Sequence, residues 1–576
     1  MRYRVLATDY DGTVAHHGTV AEETFESLRA VKQSNRAVIL VTGRELADLQ
    51  RVCPSLDVFD RIVVENGATI YNPATRVERA LAEPPPQALI DALKQRGVSP
   101  LSVGKVIVAT WEPHERTVLD TIRELGLELQ VIFNKGAVMV LPSGVNKASG
   151  LHAALAELCF STHNTVGVGD AENDHALLAM CACAVATQNA VPLLKERADL
   201  TTQGRNGEGV RELIAGLLAD DLASVEPRLA RHRIPIGEID TPGSDDKTPV
   251  TIRPYGETIL FAGKSGSGKS TLTTAMLEQL AERKYQFVLI DPEGDYSDLD
   301  HAVTIGDAHR PPSIDEVMKL LDPPEQNVNV NLVAASLSDR QAFTFALIPR
   351  LWELRTRVGR PHWIVLDEAH HLMPGPEHGT STELPRLRGS VLMVTVEPDH
   401  LAAGAIEAVQ TCVTVGPAAQ ETLRTFCEAR GVATPTVDDA HLLERGRAIV
   451  WKVGEREPAR VFRTLKPRTE QRRHRRKYAE GDLGPERSFY FIGPEGKLKL
   501  RAQNFLTFVQ MAEGVDEETW LFHLRRHDYS GWIRESLKDT DLADKVARVE
   551  ARPDLDAKAS LSEIKALIDE RYTAPA

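Results

Sequence analysis

Asp9-Tyr10-Asp11-Gly12-Thr13 directly follows the short apolar stretch Val5–Thr8 near the start of the chain. Two carboxylates one residue apart, just past a strand, point off the carboxyl edge of an α/β sheet, where such sheets place ligands. One carboxylate can attack phosphorus while the other handles the proton of the leaving group. The stretch therefore predicts an α/β fold with a hydrolytic site at this edge.

Three later segments supply what such a site still needs. A buried strand, residues 37–41, ends at Thr42, whose hydroxyl can hold a phosphoryl oxygen. Lys147 offers a cation that balances the carboxylates. A fourth strand leads into Asp170 and Asp174, and Mg²⁺ prefers such carboxylate oxygens. We expect Mg²⁺ to bind Asp9, Asp170 and the main-chain carbonyl of Asp11.

These motifs, in this order, resemble the Cof-type phosphatases of the haloacid dehalogenase superfamily over residues 3–215. The resemblance implies a Rossmann-like core. It also implies that Asp9 forms an aspartyl-phosphate and that Asp11 acts first as general acid and then as general base. Thr42 and Lys147 would hold the phosphoryl group. Asp170 and Asp174 would complete the metal site.

The same resemblance implies a small α+β cap between the second and third motifs. Its predicted elements are helix 87–94, strand 105–109, helix 114–125 and strands within 127–141. Caps of this type usually close over small phosphorylated metabolites, often sugar phosphates. The substrate itself is not predicted.

A second site begins at the strand 258–262, which leads into a loop of the form GxxxxGK[ST]. The loop glycines let backbone N–H groups converge on phosphates, and the following helix adds its N-terminal dipole. Lys269 reaches the outer phosphates and Ser270 ligates Mg²⁺. The residues predicted to bind ATP or GTP are Gly263, Ser265, Gly266, Ser267, Gly268, Lys269, Ser270 and Thr271.

The partner of this loop is the strand 363–366 with Asp367 and Glu368 at its end. Asp367 can hold Mg²⁺ through water, and Glu368 can polarise the attacking water. A carboxylate at this place favours ATP hydrolysis over binding alone.

Residues 250–455 resemble the HerA- and FtsK-like ATPases, including Asp291 to Tyr296 and Gly446 to Val450. The resemblance implies a RecA-like fold and a homo-oligomer, typically a hexameric ring that moves DNA. One departure is Val396, which stands where the family has a nucleotide-sensing Gln. Candidate arginine fingers for a neighbouring subunit are Arg386, Arg388, Arg424 and Arg430.

The chain of 576 residues is predicted to fold as several domains. The predicted boundaries are a phosphatase core at 1–82 and 142–218, a cap at 83–141, a linker at 219–249, an ATPase at 250–465, a basic linker at 466–487 and a small, mainly helical module at 488–576. In that module a core is expected from apolar residues near helical spacing: Leu498, Leu500, Phe505, Phe508, Val509, Ala512, Trp520, Leu521 and Leu524.

Composition excludes some classes of protein. The net charge of -14 argues against bulk attraction of the whole chain to nucleic acid. The six cysteines show no paired CxxC spacing, so neither a zinc site nor a disulfide framework is predicted. The start of the chain lacks the long apolar stretch of a signal peptide, and no membrane span is predicted. We expect a cytoplasmic protein.

The leading hypothesis is a bifunctional enzyme, a Mg²⁺-dependent phosphatase joined to an ATPase. One alternative is a nucleic-acid-processing motor that delivers phosphorylated ends to the phosphatase. Another is a phosphatase whose P-loop module is a nucleotide-dependent assembly or regulatory switch. The phosphorylated substrate is accordingly a sugar phosphate or a nucleic-acid end, and nucleic acid stays open as a partner.

Overall fold

The computed structural model of the chain describes residues 1–240, 247–297, 299–375, 387–438, 440–468, 483, 487–537 and 539–569. The chain divides into two compact units, Met1–Leu465 and Lys466–Ala576. No helix in the described ranges has the length and apolar character needed to cross a bilayer.

The N-terminal domain is built on an eight-stranded sheet in the order β12-β11-β10-β1-β2-β3-β4-β5. The strands from β12 to β3 run parallel, and β4 and β5 add an antiparallel edge. The elements of this core are β1 Val5–Thr8, α1 Glu22–Gln33, β2 Ala37–Val41, α2 Leu46–Val52, β3 Arg61–Val64, β4 Thr69–Asn72 and β5 Val77–Ala80. After the cap they continue as α5 Lys147–Glu157, β10 Thr165–Gly169, α6 His175–Met180, β11 Cys183–Ala186, α7 Pro192–Arg197, β12 Leu200–Thr201 and α8 Asn206–Asp220.

The cap is a four-stranded antiparallel sheet in the order β6-β7-β9-β8, with two helices. Its elements are α3 Gln87–Gln95, β6 Ser102–Val103, β7 Val108–Trp111, α4 Glu115–Glu124, β8 Leu129–Asn134 and β9 Ala137–Pro142. The prediction of a strand over 105–109 was wrong by three residues. The backbone amides of Lys105, Val106 and Ile107 bind the Glu65 carboxylate of the core instead of joining a ladder.

The second domain, which the sequence predicts to be an ATPase, has an α/β fold on a twelve-stranded sheet. Its parallel part has the order β21-β15-β20-β19-β16-β18-β17, which places β15 and β19 near the centre. The elements are β13 Ile234–Asp240, β14 Lys247–Ile252, β15 Thr258–Ala262, α9 Lys269–Glu282, β16 Phe287–Asp291, β17 Val303–Ile305, α10 Ile314–Leu320, β18 Val328–Asn331, α11 Leu337–Val358, β19 Trp363–Leu366, α12 Ala369–Leu372, β20 Val391–Thr395, α13 Ala403–Ala408, β21 Thr411–Val415, α14 Ala419–Arg430, β22 Val437–Asp438, β23 Arg447–Lys452 and β24 Ala459–Thr464.

The segment 219–249, predicted to be a linker, contains strand β13. This strand pairs with β14 and with β24 near the end of the domain, so it belongs to the ATPase sheet. The segment was predicted to be a linker because it is poor in apolar residues, and of the two strands with which β13 pairs, β14 is near in the chain and β24 is more than two hundred residues away.

The N-terminal and ATPase domains meet through a polar junction at the starts of β10 and β19. The amide nitrogen of Asn164 donates to the carbonyl of Gly359 at 3.3 Å, and its amide oxygen lies 3.1 Å from Nε2 of His362. His163 stacks on Tyr285 with ring centroids 3.7 Å apart. We refer to these five residues as the junction.

The C-terminal unit is mainly helical. Its elements are β25 Phe489–Phe491, β26 Leu500–Ala502, α15 Phe505–Gly514, α16 Glu517–Arg525, α17 Asp528–Glu535, α18 Thr540–Glu550 and α19 Ala557–Ile568. Phe505, Phe508 and Trp520 are buried in an aromatic core together with Ala512 and Leu524. Leu500 is exposed, so the prediction of a core residue at that position was wrong. The Trp520 indole stacks on Tyr529 at 4.4 Å and donates to Ser560 at 3.0 Å.

Candidate functional site

The predicted phosphatase residues converge at the carboxyl edge of the N-terminal sheet. Asp9 follows β1, Thr42 follows β2 and Asp170 follows β10, and these three strands are neighbours in the parallel ladder. Lys147 is the first residue of α5, and its ammonium donates to Asp9 at 2.5 Å and to Asp174 at 2.6 Å. The structure therefore brings together groups that are far apart in the chain.

Burial controls the charge state of this cluster. The side chains of Lys147, Asp9 and Asp174 are at most 5% exposed. Burial and the nearby Asp174 raise the pKa of Asp9 to about 7, although Lys147 opposes the shift. Burial alone would lower the pKa of Lys147, but Asp174 and Asp9 outweigh it and raise that pKa. The ammonium is thus held in its charged form between two carboxylates.

A cation would fit the oxygen atoms of this cluster. Carboxylate oxygens of Asp9, Asp170 and Asp174 all lie within 4.8 Å of one another. Burial raises the pKa of Asp170, and the neighbouring Asp174 adds to the shift, while Lys135 opposes it. Oxygen donors of this kind suit Mg²⁺.

Asp174 is placed differently from the other two acids. One of its oxygens accepts the Lys147 ammonium, and the other accepts the backbone amides of Asp170 and Ala171 at 2.9 and 3.0 Å. Both oxygens are already used, so Asp174 also fixes the loop that presents Asp170. A residue in this position orients the site in addition to offering an oxygen.

Asp11 is held by Arg44, which sequence reasoning did not single out as a site residue. The guanidinium donates to both Asp11 carboxylate oxygens at 2.7 Å. The Asp11 side chain is 41% exposed, so it faces the opening of the site rather than its floor. Arg44 follows Thr42 by two residues, and that proximity is the signal that could have revealed it.

The cap contributes a second residue that sequence reasoning missed. Lys135 lies in the turn between β8 and β9, and its ammonium is 2.9 Å from an Asp170 carboxylate oxygen. It also lies 3.3 Å from the Asp11 carbonyl oxygen. Because the turn was read only as part of a strand region, no sequence pattern pointed to it.

The nucleotide loop has the conformation that its glycines predict. Gly266 and Gly268 have φ values of 74° and 105°, a region that favours glycine, and α9 begins at Lys269. The Lys269 ammonium donates to the loop carbonyls of Gly263 at 2.9 Å and Lys264 at 3.3 Å. Burial lowers its pKa, against the pull of Glu368 and Asp367. The helix N-terminus and this lysine together form an anion-binding loop.

Asp367 and Glu368 follow β19, two strands from the strand that precedes the loop. Burial and the adjacent Glu368 raise the pKa of Asp367 well above its ordinary value. Burial raises the pKa of Glu368 to about 7, with Lys269 opposing. Glu368 has a φ of 41°, which is strained for a residue with a side chain and recurs at functional sites.

The structure also shows what surrounds Val396. Val396 is half-buried and has no side-chain hydrogen-bonding group. The neighbouring Thr395 hydroxyl lies 3.1 Å from Nδ1 of His370, and that nitrogen is 3.5 Å from Glu368. His370 is therefore hydrogen-bonded to the end of β20 and lies beside Glu368. His370, two residues after Glu368, was missed by sequence reasoning.

The candidate arginine fingers differ in their surroundings. Arg386 lies outside the described residues, as does most of the basic run 466–477. Arg388 is exposed, and Arg424 pairs with Glu428 at 3.0 Å. Arg430 donates to two carbonyls at the end of α13, so its guanidinium serves its own domain and is a poor finger.

These features define a phosphatase-type α/β domain followed by a P-loop ATPase-type domain. A family model described as haloacid dehalogenase-like hydrolase matches residues 6–111 and 101–214, and one described as the HerA helicase central domain matches residues 235–364. The chain thus carries a haloacid dehalogenase-like hydrolase domain and then a HerA central domain.

Characterised relatives match the first domain. Phosphoglycolate phosphatase 2 of Saccharolobus solfataricus is 28% identical over 221 residues, 37% of this chain and 92% of the relative. Phosphoglycolate phosphatase of Methanothermobacter thermautotrophicus is 29% identical over 218 residues, 37% and 97% of the two chains. A solved haloacid dehalogenase-like hydrolase from Bacteroides thetaiotaomicron has 18% identity and a TM-score of 0.34, covering 38% of this chain and all of its own. The relatives support a phosphatase function for the first domain.

Proposed function

We propose that the chain is a bifunctional hydrolase: a Mg²⁺-dependent phosphomonoesterase that works through an aspartyl-phosphate, and an ATP hydrolase. The observation that carries the first activity is the buried Lys147 ammonium, which bridges Asp9 and Asp174 beside Asp170. Asp9 lies at the end of a strand and can reach a bound phosphate. Few structural roles would justify burying three carboxylates with one lysine.

The first half of the reaction transfers the phosphoryl group to the enzyme. A carboxylate oxygen of Asp9 attacks phosphorus, and the bond from phosphorus to the leaving oxygen breaks. Asp11 gives its proton to that oxygen, and Thr42 and Lys147 hold the phosphoryl oxygens. A magnesium ion on Asp9, Asp170 and the Asp11 carbonyl would neutralise negative charge as the two anions approach.

The second half regenerates the enzyme. Water loses a proton to Asp11 and attacks phosphorus, the bond to Asp9 breaks, and phosphate leaves. In the structure both Asp11 carboxylate oxygens accept hydrogen bonds from the Arg44 guanidinium. Asp11 must therefore leave Arg44, at least in part, before it can donate a proton in the first half.

The ATPase assignment rests on the loop from Gly263 to Thr271 and on Glu368 near it. Lys269 would hold the outer phosphates, with Ser270 and Asp367 on Mg²⁺. Glu368, whose pKa is about 7, would orient and deprotonate the attacking water. The likeness to ring ATPases adds a homo-oligomer to the proposal, and light scattering with and without nucleotide tests it.

Reciprocal variants test the two activities. Asp9→Asn should abolish hydrolysis of p-nitrophenyl phosphate while ATP hydrolysis continues, and Glu368→Gln should do the reverse. Asp57→Asn, an exposed carboxylate in the same domain, is the matched control. Phosphatase activity that persists in Asp9→Asn contradicts the nucleophile assignment. EDTA should remove both wild-type activities.

The nature of the substrate and partner needs a separate experiment. Sugar phosphates and 5′-phosphorylated oligonucleotides are offered side by side, and ATP hydrolysis is followed with and without DNA or RNA at low salt. A nucleic-acid-processing motor requires stimulation by nucleic acid. If hydrolysis does not respond, that candidate fails.

The junction favours a second candidate function, in which nucleotide regulates the phosphatase. Asn164 directly precedes β10, whose far end carries Asp170, and His362 directly precedes β19, whose far end carries Asp367. The two sites are thus joined through contacting strand starts. Phosphatase rates with ATP, ADP and no nucleotide test this candidate, and equal rates refute it.

A further inference from the structure

Asn66 and Asn173 are buried asparagines beside the phosphatase site, and neither takes part in the proposed mechanism. Asn66 follows β3, the parallel neighbour of β2, so it lies at the sheet edge that carries Thr42. Asn173 lies in the loop after β10 that carries Asp170. The two asparagines are 1% and 9% exposed. Asn66 is therefore part of the floor of the site, in contrast to Asp11 at its opening.

The contact between the two amides leaves one donor free. Nδ2 of Asn173 donates to Oδ1 of Asn66 at 3.0 Å. Nδ2 of Asn66 is buried and has no hydrogen-bond partner among the residues that the structure describes. Oδ1 of Asn173 is unpaired among them as well, but an acceptor cannot stabilise an anion. A buried donor without a partner costs about 1–3 kcal/mol, so an unpaired amide at the edge of a site indicates a ligand that pairs with it.

The surroundings of Asn66 indicate which ligand this is. Its backbone amide donates to the carbonyl of Thr42 at 3.0 Å. The next residue, Gly67, has a φ of 107° and packs so closely on the carbonyl of Asn146 that a Cβ there would collide with it. Lys147 follows Asn146 directly. Asn66 is thus held between Thr42 and Lys147, the two residues proposed to hold the phosphoryl group.

We propose that Asn66 is a further catalytic residue of the phosphatase, whose Nδ2 donates a hydrogen bond to a phosphoryl oxygen as the group passes to and from Asp9. This inference rests on the proposed phosphatase activity and adds a residue to it. A phosphoryl group in transfer spreads its negative charge over three equatorial oxygens. The Lys147 ammonium is shared with Asp9 and Asp174, so a neutral donor beside it supplies stabilisation that Lys147 alone does not.

Two substitutions at Asn66 test the role of its donor. Asn66→Gly removes the side chain, and glycine adopts the φ of 55° at this position without strain. It should lower kcat/KM for p-nitrophenyl phosphate about a hundredfold, the effect of losing one preorganised donor. Asn66→Asp keeps the oxygen that accepts from Asn173 but replaces the donor by a second oxygen. Its loss should be larger still, because a carboxylate repels the phosphoryl oxygens.

The matched controls are Asn35→Gly and Asn35→Asp. Asn35 is an exposed asparagine of the same domain with a φ of 62°, so both substitutions meet the same backbone conformation away from the site. Neither control should change the phosphatase kinetics.

The order of the two Asn66 variants separates catalysis from support of the loop. If Asn66 only held the Asp170 loop through Asn173, Asn66→Asp would retain that hydrogen bond and be the milder variant, which overturns the proposal. The losses should also be equal for p-nitrophenyl phosphate and glycerol 1-phosphate, because the phosphoryl group is common to both. Unequal losses would mean that the donor meets the leaving group and would overturn the proposal as well.

A binding measurement separates this inference from the proposed activity. Calorimetric titration with inorganic phosphate in the presence of Mg²⁺ should show about tenfold weaker binding to Asn66→Gly than to wild type, whereas Mg²⁺ alone should bind both equally. Equal phosphate affinities, or a matching loss of Mg²⁺ affinity, contradict the proposal. If wild type hydrolyses no phosphomonoester, the proposed function fails, whereas phosphate binding that depends on Asn66 would still place its donor on the anion.

Discussion

Acid should weaken the junction through His163. Burial lowers the pKa of this imidazole from its ordinary 6.5 to about 4, and Arg231 and other nearby cations oppose protonation further. His232 and His362 face the same ring edge-on, and burial lowers the pKa of each as well. The folded state therefore prefers neutral histidine. The stability this gives is complete above pH 6.5 and is lost as the pH falls toward 4.

The size of the effect follows from the two pKa values. Full protonation of His163 would cost about 3 kcal/mol, and about 2 kcal/mol of this should be lost between pH 7.5 and pH 5.0. His163→Phe retains a ring against Tyr285 but cannot titrate. The measurement is urea unfolding, followed in the transition that reports the Met1–Leu465 unit. The free energy of unfolding should fall less steeply with acid in this variant than in wild type.

The matched control is His152→Phe, which changes an exposed histidine on α5. It should keep the wild-type dependence on pH. The loss of the 2.6 Å contact between His163 and the Arg283 carbonyl lowers stability at every pH, so the difference between the two pH values is the quantity that decides. Parallel pH curves for wild type and His163→Phe would refute the reasoning.

Three further perturbations follow from the two sites. Lys147→Met leaves Asp9 and Asp174 buried without a cation, which should lower the free energy of unfolding by about 3–5 kcal/mol. The kcat/KM for p-nitrophenyl phosphate should fall at least about a hundredfold, and wild-type kinetics would contradict this. Glu65→Gln weakens the contact with three cap amides, so protease cleavage between core and cap should become faster. An unchanged cleavage rate would mean that Glu65 does not hold the cap to the core. His370→Phe removes the hydrogen bond to the Thr395 hydroxyl, so kcat for ATP hydrolysis should fall about tenfold with little change in KM. A change confined to KM would contradict a role of His370 in the hydrolytic step.

Much of the phosphatase centre could be predicted because its geometry follows from strand order. Parallel strands present their carboxyl ends at one edge, so residues just past β1, β2 and β10 must approach one another once the strands are identified. The position of Lys147 could also be predicted, because this residue begins the helix that follows the cap. Local motifs and the layout of the sheet were sufficient for these positions.

The remaining features depend on contacts that no local pattern encodes. Lys135 reaches the core only because a cap hairpin folds over it, and its turn sequence is ordinary. Asn164 and His362 are 198 residues apart and carry no motif. Strand β13 was assigned to a linker because its segment is poor in apolar residues, and one of its two partner strands, β24, is distant in the chain. Each of these depends on long-range packing, which one sequence read alone does not specify.

The junction constrains how the two sites can influence each other. Strands β10 and β19 lie in parallel ladders and are buried along their lengths, so neither can slide without breaking hydrogen bonds to both neighbours. Two other movements around the phosphatase site are possible: separation of the domains at Asn164 and His362, or movement of the cap. Separation of the domains would expose neutral, buried histidines to water. Movement of the cap requires the Glu65 contacts and the Lys135–Asp170 ion pair to open. The Lys105–Glu78 ion pair and the Ser102–Glu45 contact must open as well, but none of these changes exposes a buried histidine.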